Sequence, residues 1–104
     1  MSGPQPIEPI IMMDAWLWNG RQRLAGVIQL LPGYIRFQPE DFPDGHLSLQ
    51  ISLSDIEEVD SFLVFNISRL GLLVRTLDGR ADRFILEDPE AFRKALNRQL
   101  ALRR

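Results

Sequence analysis

Between residues 46 and 53 the chain alternates, with Leu47, Leu49, Ile51 and Leu53 interleaved with His46, Ser48, Gln50 and Ser52. A period of two with one polar side is the pattern of an antiparallel strand that buries one face. Tyr34 to Gln38 repeats it, with Ile35 and Phe37 on one side and Tyr34, Arg36 and Gln38 on the other. Further strands are expected over Ala15–Trp18, Leu24–Leu31, Val59–Phe65, Leu70–Thr76 and Ala81–Leu86, which makes about seven. Turn signals punctuate them: Asn19-Gly20, Pro32-Gly33, Pro43-Asp44-Gly45 and Asp78-Gly79. Asn-Gly and Asp-Gly suit two-residue hairpins, whose central residues need positive φ. Ser54-Asp55-Ile56-Glu57 has the spacing of a capping box, in which Ser and Glu side chains satisfy each other's backbone donors. A single turn is expected there, since β-branched and aromatic residues follow.

The period then changes. Asp88 is placed to cap a helix that opens on Pro89, and Glu90 complements its positive end. Phe92, Ala95, Leu96 and Leu100 recur at helical spacing and make one apolar stripe. At the other end, Gly3, Pro4, Pro6 and Pro9 interrupt any regular element. A flexible tail is expected over residues 1–13, and one domain over 14–104.

Strands followed by one helix suit a β-rich α+β fold in which packed sheets leave an open corner for the helix to cover. Three segments carry a more specific resemblance: LAGVIQLLPGYIRFQPE, LSLQISLSDIEEVD and GLLVRTLDGRADRFILEDPEAFRKAL. In order and spacing they resemble the bacterial GRAM domains, members of the pleckstrin-homology-like class, over about Trp16 to Leu100. The resemblance implies a barrel or sandwich of about seven antiparallel strands capped by one C-terminal α-helix. It implies a function less strongly, because one fold hosts many functions.

Composition narrows the chemistry. The 104 residues carry a net charge of −2, so the basic excess usual in nucleic-acid binders is missing and no nucleic acid is expected as partner. There is no cysteine, which excludes disulfides, thiolate metal sites and a cysteine nucleophile, and fits a cytoplasmic protein. Neither a secretory leader nor an apolar run of membrane-spanning length is read in the chain. The one histidine, His46, has no second His or acidic pair at ligand spacing, so it is expected to be solvated and no metal is expected. Asp55, Glu57, Glu58 and Asp60 cluster about a turn and strand start, where solvation keeps them ionised and they guard a strand edge. No phosphate-binding glycine loop occurs. Catalytic residues, cofactor and small-molecule substrate are all read as none.

Three surfaces are candidates for binding. Phe62, Leu63, Val64, Phe65 and Ile67 make a stretch apolar on both faces, as do Trp16 and Trp18 with Ala15 and Leu17. Such strands are either buried on both sides or meet another molecule, and Trp is enriched where binding energy concentrates. The leading reading is therefore a protein-interaction or scaffold module that binds a partner or a second copy of itself. The alternative is peripheral membrane binding. Many pleckstrin-homology domains hold phosphoinositide head groups with cations on the first hairpin and third strand, where Arg21, Arg23 and Arg36 fall here. Arg suits phosphate through its bidentate fork. The third surface is the C-terminal segment from Asp88, with five basic and two acidic residues. Its charges are read as a solvated helix face.

Overall fold

The computed structural model describes residues 8–19, 22–40, 48–63 and 70–102. They form β1 (Ile11–Asn19), β2 (Gln22–Leu31), β3 (Tyr34–Pro39), β4 (Leu49–Ser52), a 3₁₀ turn (Leu53–Asp55), β5 (Ile56–Leu63), β6 (Leu70–Thr76), β7 (Ala81–Leu86) and α1 (Pro89–Leu102). The strands make one antiparallel sheet in the order β4-β3-β2-β1-β7-β6-β5. Each strand pairs with a sequence neighbour except at the centre, where β1 meets both β2 and β7. It pairs with β2 along its whole length and with β7 through Ala15–Trp18.

The sheet cannot be flat. Phe37 on β3 and Phe84 on β7 have ring centroids 5.9 Å apart, yet two strands lie between theirs. Three strand spacings would separate them by about 14 Å in a plane. The sheet therefore curls, and one face becomes the inside. Met13, Ala15 and Leu17 of β1, Ile28 and Leu30 of β2, Ile35 and Phe37 of β3, Leu72 and Val74 of β6, and Phe84 and Leu86 of β7 fill it. Helix α1 packs against β2, β6 and β7, on both sides of the central strand. It closes the core with Phe92 and Leu96, both fully buried. The Asp88 side chain accepts a bond from Ala91 N at 3.1 Å, the N-cap geometry expected from sequence.

Curling brings backbones close. Gly26 lies opposite Ala15 and Pro39. A Cβ there would stand 2.2 Å from the Gln38 carbonyl oxygen and 2.9 Å from the Phe37 ring.

Several local expectations need correction. Strand β1 starts at Ile11, inside the stretch expected to be a tail, and Met13 is buried. Its Sδ accepts a bond from Asp88 N at 3.3 Å, so this stretch helps to seat α1. The capping box does not form. The turn begins at Leu53, its N-cap is Ser52 without a side-chain bond, and Glu57 belongs to β5. Burial of Leu53 and Ile56 places the turn; the Ser54 hydroxyl instead meets that of Ser52 at 2.9 Å. β5 starts at Ile56, three residues before Val59. The Asp78-Gly79 connection is longer than two residues, because Thr76 N bonds Arg80 O at 2.9 Å around Leu77, Asp78 and Gly79. Gly79 has φ +90°, as the residue ending a three-residue hairpin loop requires. The Asn19-Gly20 and Pro43-Asp44-Gly45 turns, His46 and Leu47 lie partly or wholly outside the described residues.

Candidate functional site: the outer face of the sheet

Alternation puts every second residue of each strand on the face opposite the core. On β1 these are Met12, Asp14, Trp16 and Trp18. Register extends the rows across neighbouring strands. Trp16 lies opposite Ala25 on β2 and Ile85 on β7, and Trp18 opposite Arg23 and Arg83. Leu73 of β6 lies opposite Arg83, and Phe62 of β5 opposite Gly71.

These residues form a second apolar cluster outside the core. The Phe62 ring lies over Gly71, where a Cβ would come within 2.3 Å of its Cζ. With that space empty the ring reaches inward, and its centroid stands 6.4 Å from that of Trp18. Leu73 and Ile85 are buried although they point away from the core. Trp16 differs: it stays 41% exposed, and Met12 on the same strand is 57% exposed. The Arg23 guanidinium stacks 5.5 Å from the Trp16 ring centroid, a cation–π distance.

Trp16, Trp18 and Phe62 thus come together on one face. Leu63 pairs with Leu70 at the end of the β5–β6 ladder. Val64, Phe65, Ile67 and Arg21 lie outside the described residues. Arg23 and Arg36 share the outer face but do not converge. Arg36 stands opposite Gln29, six residues along β2 from Arg23, or about 20 Å. The Arg36 Nη2 donates to Gln38 Oε1 at 3.2 Å, and its Nε is buried without an acceptor.

A groove of about 830 Å³ opens beside Trp16, between the middle of β1 and β2, the end of β7 and the start of α1. Trp16, Ala25, Ile85 and Leu86 give it apolar walls. Asp14, Glu40, Glu87, Asp88 and Glu90 line it as well, with Arg93 the one cation among the described lining residues. That guanidinium donates to the Ser61 hydroxyl at 2.7 Å. The sequence did not reveal this set, because its members come from three separate stretches. The ladder joins them: Glu87 N bonds Asp14 O at 3.1 Å, and Glu40 N bonds Ala25 O at 2.8 Å, opposite Trp16.

A second polar cluster lies at the β6–β7 loop. The Thr76 hydroxyl and the Arg80 backbone N both donate to Asp78 Oδ1, which holds that carboxyl below its ordinary range. Asp82 moves the other way: burial raises it, and the Arg80 guanidinium, 3.1 Å away, offsets this in part. Among the described residues no three His, Asp or Glu side chains gather as metal ligands, and no helix is long and apolar enough to cross a membrane.

Comparison with solved structures identifies the class of fold. The chain is similar to the C-terminal domain of an unknown protein from Leishmania infantum, with TM-score 0.81 at 12% identity over 91% of this chain and 85% of that one. It is also similar to the Vps36 N-terminal PH domain, with TM-score 0.74 at 20% identity over 90% of this chain and 79% of that one. The fold is therefore pleckstrin-homology-like: a curled antiparallel sheet closed by a C-terminal helix. No protein-family model matches the chain, nor does any curated protein.

Proposed function

We propose that this chain is a non-enzymatic protein-interaction module of the pleckstrin-homology-like class, of GRAM-like kind, and that it binds through the outer face around Trp16. The observation that carries the reading is Trp16 itself. Four apolar residues on that face, Trp18, Phe62, Leu73 and Ile85, are wholly or partly withdrawn from water, while Trp16 at their margin is 41% exposed. A large ring held on a rigid strand beside a packed apolar cluster loses little conformational freedom on binding, and such rings concentrate binding energy.

The membrane alternative finds less support. Arg23 is stacked on Trp16, Arg36 is about 20 Å away along the sheet, and the groove beside Trp16 is lined with carboxylates that repel phosphate.

The test compares affinity capture by the wild-type chain and a Trp16→Ser variant of unchanged circular dichroism, with anionic vesicles as a parallel arm. Partners or second copies retained by the wild type and lost from the variant support the reading. An identical captured set overturns it. Salt-sensitive pelleting with anionic vesicles, insensitive to Trp16, would establish the membrane alternative instead.

A further inference from the structure

The groove adds the chemistry of the partner, an inference that rests on the protein-binding reading. Among the described residues that line it, five carboxylates face one guanidinium.

The protein does not neutralise this negative charge internally. Arg93 is bonded to Ser61. Asp88 accepts the backbone N of Ala91 and so answers the helix end. Asp14, Glu40, Glu87 and Glu90 are all exposed, and among the described residues none has a side-chain ion pair or hydrogen bond. Two carboxylates elsewhere do find cations: Glu58 pairs with Arg75 and Asp82 with Arg80. Glu90 faces the positive end of α1, but Asp14, Glu40 and Glu87, left open beside the apolar walls, make a surface complementary to positive charge.

The walls set the second requirement. Trp16 and Ala25 offer accessible apolar area between the acidic groups, which bare cations would leave unused. A volume of about 830 Å³ falls in the range of sites that take a drug-sized ligand, which corresponds to a few residues of peptide.

We propose that the groove between β1, β2, β7 and the start of α1 binds a basic peptide segment. Lys or Arg side chains meet Asp14, Glu40 and Glu87, and an aliphatic side chain between them packs on Trp16 and Ala25.

The experiment uses the full chain and a fluorescein-labelled nonapeptide in which Lys alternates with Ala around a central Leu, read by anisotropy. A counterpart with Glu for Lys serves as control. Binding of the Lys peptide, weakened by added salt and absent for the Glu peptide, is expected. The Glu40→Lys, Glu87→Lys double variant is expected to weaken it roughly tenfold. Asp55→Lys, Glu57→Lys makes the same change of charge at exposed positions outside the groove and is expected to leave affinity within about twofold. No binding to the wild type, or equal weakening by the two double variants, overturns the proposal. Either result with Trp16-dependent capture intact removes the basic peptide alone. Loss of Trp16 dependence in capture removes the broader reading.

Discussion

At the scale of single residues, two glycines serve close approach with different margins. At Gly26 the obstructing atom is a backbone carbonyl 2.2 Å from the added carbon, in a paired strand. At Gly71 the obstacle is the tip of the half-buried Phe62 ring, which can swing outward. Gly26→Ala is expected to lower stability by about 3 kcal/mol and Gly71→Ala by about 1 kcal/mol in urea titrations. Gly71→Ala should also shift tryptophan fluorescence, because Phe62 leaves Trp18. Asp78 in the loop and Asp82 at the start of β7 predict opposite pH responses. Asp78, held low, contributes stability that is complete above the ordinary carboxylate range and declines as pH falls toward its folded value. Asp78→Ala is therefore expected to lower Tm at neutral pH, by an amount that shrinks in acid. Asp82, raised by burial, binds its proton more tightly when folded, so it imposes a penalty above its folded value that acid relieves. Asp82→Asn is expected to raise Tm at neutral pH, the gain closing on acidification, since the exposed partner Arg80 contributes little.

At the scale of elements, the helix was readable because its signals are local and agree. Asp88, Pro89, Glu90 and the stripe through Phe92 and Leu96 all indicate the same start and the same buried face. Asp88→Ala should cost about 1 kcal/mol through the lost cap. Leu96→Ala should cost about 3 kcal/mol through the cavity left under α1. Thermal unfolding of the two variants checks both values. Strands were legible where one face is wet, as in β3, whose burial alternates residue by residue. Their ends were less so. Ile11, Met12 and Met13 offer no alternation, and their place in β1 depends on Leu30, Gln29 and Ile28 across the ladder. The Ser54–Glu57 pattern misled for a related reason, since burial of Leu53 and Ile56 outweighs what a cap on a three-residue turn could add. The charges of β5 fit its place at the sheet margin: Glu57 and Glu58 are exposed, and a further strand docking there would have to bury them.

At the scale of the whole molecule, order and spacing of elements were enough to indicate the fold, but its surface was not legible. Trp16 and Trp18 look equivalent in sequence. Only the curled sheet, with Gly71 on β6 and Phe62 on β5, separates a half-buried ring packed against Phe62 from one that remains available. The acidic groove needed three distant stretches to be brought together. The central position of β1 also bears on how the chain acquires this shape. Residues 11–39 can form a local meander as soon as they are made, because β2 and β3 follow directly. The other flank of β1 waits for residues 83–86, nearly seventy positions later. Until then a growing chain carries a half-sheet with one unsatisfied flank and an uncovered apolar face, the condition in which strands recruit wrong neighbours. Closure is a late, long-range step. Pulsed hydrogen exchange during refolding should show amides of the β1–β2 hairpin protected before those that join β1 to β7.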